Sequence, residues 1–210
     1  LSTYGQAAMS VDPDQSEDSE QAEGFGIGAP GLFLDFLPIL SLDLGYRYRS
    51  GQFRFGYFNE NYGNERATVL DDGSVVTKDN TLTGGTLNGV FGALNANLYI
   101  VNLYGSYEYL VPMSGGDESI GVEARAGLNK ERLAQIPVLS NYVAGLSAYY
   151  VHQNVTEHAD LFETDPSVLM GAQIQVSLGE STVLTYDLQR SYDQQGDPVD
   201  KMSIGTQVSF

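Results

Sequence analysis

Two histidines, His152 and His158, stand close to Glu157 and Asp160, and a histidine beside a carboxylate can activate water or orient a base. Ser147 adds a hydroxyl near His152. Their odd separation puts the two side chains on opposite faces of an extended strand, which disfavours a serine hydrolase. No motif surrounds either histidine, so the pattern reads as a polar loop and no enzyme is expected. Hard oxygen ligands are plentiful: Asp71, Asp72, Asp79, Asp117, Glu118, Asp160, Glu163, Asp165, Asp193, Asp197 and Asp200 suit Ca²⁺ or Mg²⁺. Yet the chain has no calcium-binding loop, phosphate-binding glycine loop or Cys/His cluster. No cofactor or dedicated metal site is therefore expected, only diffuse screening by divalent cations at acidic loops.

A second set of charges is more ordered, because it alternates with apolar residues. Asp43, Arg47, Arg49, Arg54, Glu108, Glu123, Arg125 and Asp187 share the polar face of extended segments with glycines and glutamines. Glycine beside charge suits a narrow wet lumen, where opposite charges pair across the interior. The other face is apolar and carries Tyr46, Tyr48, Tyr99, Tyr107, Tyr109, Tyr142 and Tyr150 near segment ends. Aromatic residues at both edges of an apolar band are what a membrane interface selects.

Strands must position these residues. From Leu40 to Arg49 the alternation is strict, and Ser50-Gly51 supplies a tight turn into a returning strand through Phe53, Phe55 and Tyr57. Thr81 to Ala93 and Leu98 to Leu110 read as a pair joined near Asn95-Ala96-Asn97. Ile120 to Leu128, Tyr142 to His152, Val168 to Leu178, Leu184 to Leu188 and Met202 to Phe210 follow. Gly24 to Phe36 is interrupted by Pro30 and reads as a bent strand or a plug. Within the polar stretch 59–80, Asp72-Gly73 marks the turn of a small hairpin. Residues 10–23 are acidic and lack aromatics, so residues 1–23 are expected to be a flexible tail and 24–210 one domain. The count is about ten strands, or eight if the first pair is rejected. Tight connections at 50–51, 95–97 and 179–181 alternate with long acidic ones at 59–80, 153–167 and 193–199.

With 210 residues, Cys 0, Trp 0, Tyr 14 and Gly 24, the chain is sized and composed for a single all-β unit without disulfides. The net charge of −17 excludes nucleic acid as a partner, since ten Lys and Arg cannot neutralise a run of phosphates. No apolar run is long enough for a transmembrane helix, so spanning would require a barrel. Leu1 at the start, without a basic hydrophobic leader, reads as a processed form.

At the other end Met202, Ile204, Thr206, Val208 and Phe210 occupy one face, and the sequence closes on the aromatic. This ending resembles bacterial outer-membrane β-barrel proteins, whose last strand alternates in this way and carries a terminal Phe. The resemblance implies a closed antiparallel up-and-down transmembrane barrel in the bacterial outer membrane, with Phe210 at the interface and recognised by the barrel assembly machinery. The expected function is a narrow channel for small solutes or ions in a monomeric barrel, in contact with outer-membrane lipid and lipopolysaccharide. The alternative is a non-conducting structural or surface-interaction barrel. A barrel enzyme and a soluble lipocalin-like binder, with its apolar face turned inward, are the remaining options.

Overall fold

In the computed structural model, alternation becomes one long antiparallel meander. The structure describes residues 1–10, 24–36, 38–56, 67–69, 75–77, 84–133, 135–136, 141–179, 181–193 and 195–208. Its strands are β1 (Ser2–Ser10), β2 (Gly24–Phe36), β3 (Leu40–Gly51), β4 (Ala67–Val69), β5 (Val75–Thr77), β6 (Leu87–Leu98), β7 (Val101–Pro112), β8 (Ser119–Leu128), β9 (Val143–Val155), β10 (Val168–Ser177), β11 (Thr182–Tyr192) and β12 (Pro198–Val208). Among the described residues, helix is confined to α1 (Lys130–Leu133) and a 3-10 turn, His158–Phe162. β4 and β5 form their own small hairpin, as expected around 72–73, although the turn itself lies outside the described residues. The other strands form one ten-stranded sheet in chain order, β1-β2-β3-β6-β7-β8-β9-β10-β11-β12. The fold is all-β, antiparallel and up-and-down. No backbone pairing joins β1 to β12 among the described residues, so these two are the sheet's edges.

Register partners lie on the same face of an antiparallel pair, so the pairing carries each face across the sheet. Gly45 pairs with Phe91, Phe91 with Glu108, and Glu108 with Gly121 on the polar face. Tyr46 pairs with Val90, and Val90 with Tyr109, on the apolar face. The sheet curls toward its polar side, where β3, β6, β7, β8 and β9 together line one hollow. Pro30 cannot donate to the ladder, and the β2–β3 register slips between Gly28 and Gly31. Gly24 to Phe36 is thus a strand with a local irregularity, rather than a plug.

Four expectations need correction. Residues 2–10, assigned to the tail, form edge strand β1 paired to β2; residues 11–23 lie outside the described set. Their alternation is weak because Gly5, Ala7 and Ala8 give little contrast between faces. Ser50-Gly51 is not a hairpin turn: Gly51, at φ 64°, closes β3, residues 53–56 form no strand, and β3 pairs instead with β6. Phe53 and Phe55 imitate a strand because both lie over the polar face. The turn expected at 95–97 sits at Tyr99-Ile100, with Tyr99 at φ 51°.

The fourth correction concerns the expected alternation of tight and long connections. Ser10 pairs with Gly24, and Gly24 with Gly51. The connections 11–23 and 52–86 therefore leave the same end as 113–118, 156–167 and 193–197, while 37–39, 99–100, 129–142 and 178–181 lie opposite, so a long connection stands at each end. The count of ten agrees with expectation, but one expected strand is absent and an unexpected one takes its place.

Candidate functional site

The polar face is the best candidate, since it gathers most of the charged groups held by strands. Glu108 on β7 meets Arg47 on β3 across the intervening β6, and Arg125 meets Glu123 on β8. The Arg47 guanidinium lies 3.6 Å from the Phe91 ring centroid and 4.6 Å from that of Phe55, which adds cation–π attraction to the ion pair. Arg49 is only 8% exposed and sits within the field of Glu108. Tyr4 donates to Asp43 Oδ1 at 2.6 Å, spanning from β1 to β3, and Gln189 Nε2 donates to the Tyr149 hydroxyl at 3.3 Å across β10.

Glycine makes two of these crossings possible. A β-carbon at Gly31 would strike the Tyr4 ring, and one at Gly171 would come within 2.6 Å of the Tyr149 ring. Bare strand positions let side chains from neighbouring strands lie flat across the interior.

Asp43, Arg47, Arg49, Glu108, Glu123, Arg125 and Asp187 occupy one face of the sheet by register, and Arg54 lines the same hollow from the segment after β3. Tyr46, Tyr48, Tyr107, Tyr109 and Tyr150 occupy the opposite face. Tyr99 lies in a turn and Tyr142 just before β9, 61% and 68% exposed. Phe210 lies outside the described residues. Sequence reading missed Tyr4, Phe91, Tyr104 and Tyr149 on the polar face, where the hollow takes in Phe91 and Tyr104. Their registers would have revealed them, since each sits in phase with a charged or glycine neighbour.

The two histidines belong to the other face. The segment 156–167 packs against β8 and β9, and His158 Nε2 lies 2.7 Å from the Tyr107 hydroxyl. His152 is fully buried beneath it. Its Nδ1 is 2.9 Å from the Leu161 carbonyl oxygen and its Nε2 is 2.9 Å from Asp165 Oδ2. The Tyr150 hydroxyl lies 3.4 Å from the same Nδ1 and donates to the Leu161 carbonyl at 3.0 Å, completing a network that fixes the ring. Burial pushes the Asp165 carboxyl up, but hydrogen bonds from Ser167 and His152 outweigh it and hold the group below its ordinary range. Ser147 pairs with Gln173 on the polar face and His152 with Val168 on the apolar face, so they do not meet. Among the described residues, no three His, Asp or Glu side chains converge on a point that could hold a metal ion.

Fold and site together define an all-β meander with one charged, curled-in face and one apolar face. No family model, curated protein or solved structure compared with the chain matches it.

Proposed function

We propose that this chain is an outer-membrane β-barrel of a bacterium, closed by pairing β1 with β12, that offers small solutes or ions a narrow passage. One observation carries the reading. Of all charged residues in the ten sheet strands, only Arg190 and Asp200 stand on the apolar face, and they neutralise each other through contacts of 2.6 and 2.7 Å. Outside the patch that segment 156–167 covers, that face is mainly apolar and uncovered: Phe25, Leu44, Val90, Leu94, Leu146, Ile174, Leu188, Met202 and Ile204 are each at least 41% exposed. Such an extent of exposed apolar surface is costly in water and natural in lipid. Closure follows from the same solvent, because hydrocarbon offers no partner to the free edges of β1 and β12.

The ion pairs that cross the polar face favour a second reading, a structural barrel whose interior is filled. In both readings lipid surrounds the apolar face, and divalent cations bridge the acidic connections to lipopolysaccharide. The barrel assembly machinery reads the last strand.

Site-directed spin labels test the membrane placement. With the protein in lipid vesicles, a label at 124 should be quenched by lipid-dissolved oxygen and shielded from a water-soluble relaxation agent, with the reverse at 123. Labels that both ignore the lipid phase, or a protein that stays monodisperse without detergent, would refute it.

A further inference from the structure

The five residues after β3 do not leave the sheet. Phe53 folds back over β2, where Gly26 makes room: a β-carbon there would overlap the ring. Phe55 meets Phe53 edge-on, with centroids 5.1 Å apart and planes at 84°, and its ring lies 4.6 Å from the Arg47 guanidinium. Arg47 is fixed from its other contacts by Phe91 and Glu108. The polar hollow is thereby divided. Two cavities, of about 220 and 270 Å³, share Arg47, Phe55 and Gly56 in their walls; one opens toward Gln6 and Gly26, the other toward Glu108 and Glu123.

From this partition we infer that residues 53–55 and Arg47 form the constriction of the passage and set the size of solute it admits. The inference rests on the passage proposed above. Its physical basis is that an aromatic side chain over a glycine is held by shape alone, and Arg47 is held by both charge and ring contact. Nothing in the backbone of β2 or β3 must move for Phe53 and Phe55 to be removed, so truncation merges the two cavities.

The test is single-channel conductance in a planar bilayer, with correct folding checked by strand content in circular dichroism. The double variant Phe53→Ala/Phe55→Ala should raise conductance by roughly twofold or more and admit larger neutral sugars. Because the chain lacks cysteine, Gly26→Cys/Phe53→Cys offers a second route that does not depend on how the alanine variant folds. Oxidation should pin the segment and hold conductance low, and a reductant should raise it. A conducting wild type with both variants unchanged overturns the constriction and leaves the passage standing. If neither wild type nor variants conduct while the spin labels report lipid, the passage falls and the constriction with it.

Discussion

Ala124 and Glu123 are neighbours in sequence and stand on opposite faces of the sheet, which the proposed function assigns to different solvents. Ala124 pairs with Gly105 and Tyr150 on the apolar face, while Glu123 pairs with Ser106 and contacts Arg125 on the polar face. An Arg at a lipid-facing midplane position costs roughly 2 to 4 kcal/mol. Ala124→Arg should therefore lower stability in vesicle urea titrations by about that amount, and Glu123→Gln by clearly less, since Arg125 stays close to water. Equal losses would put the two residues in the same environment. His152 and Asp165 give a prediction of the opposite kind, about a loop instead of a strand. A carboxylate held low in the native state contributes stability that is complete above its unfolded value near 3.8 and is lost as pH falls through the lower native value. Segment 156–167 should accordingly become more open to protease as pH drops below about 4, and Asp165→Asn should remove that dependence. His152→Leu should loosen the same segment at neutral pH, since it removes the contacts that tie β9 to Leu161 and Asp165, each hydrogen bond being worth about 0.5–1.5 kcal/mol. The polar-face charges were legible in sequence because alternation fixes their face. The histidine network was not, because it joins a strand to a loop by contacts that no spacing records.

Strands were legible where contrast between faces is high, as in β3 with its leucines and tyrosines against aspartate and arginine. Contrast failed at both ends of the scale. β1 has too many small residues to show a face, and the segment from Phe53 shows a strong one while forming no strand, because its rings are drawn inward. The consequence for topology is testable. Residues 11–23 join β1 to β2 at the end shared with 156–167, so a protease on one side of a sealed membrane should cut both segments or neither. Cleavage of 11–23 from one side and 156–167 from the other would remove β1 from the spanning set. The seam can be tested too. Ala7 and Met9 share the apolar face with the even-numbered residues of β12, and a slip of one residue would turn every side chain over. Cysteine at position 7 should therefore cross-link to cysteine at 202, 204 or 206, and not to cysteine at 203 or 205. No cross-link to any even position would leave the barrel open.

At the scale of the whole molecule, charge is distributed by end. The described connections at the β1–β2 end carry Asp117, Glu118, Glu157, Asp160, Glu163, Asp165, Asp193 and Asp197, while the polar face pairs Glu108 with Arg47 and Glu123 with Arg125. These eight acids make that rim negative. Such a rim repels itself at low ionic strength, and counterions relieve it. Millimolar Mg²⁺ should raise the melting temperature more than the same ionic strength of NaCl if the rim binds divalent cations, and equally if it is only screened. The expected role of Phe210 can be tested by substitution. Phe210→Asp should reduce folded yield in the membrane more than Ser209→Asp, and matching yields would remove that role.

The sheet order, which follows the chain with only the β4–β5 hairpin set aside, has a kinetic meaning. Each pairing joins strands that are successive in this order, so the strands can zip together one after another, each new one finding a formed edge beside it. The seam is different. Uniting the first strand with the last closes a loop about eight times longer than a single hairpin, at an added entropic cost of roughly 2 kcal/mol if each doubling costs about 0.6. Zipping should be quick and sealing slow. If the proposed barrel forms in a membrane, the growing sheet carries two bare edges until it seals, and a partner that shields them would act as a catalyst of folding.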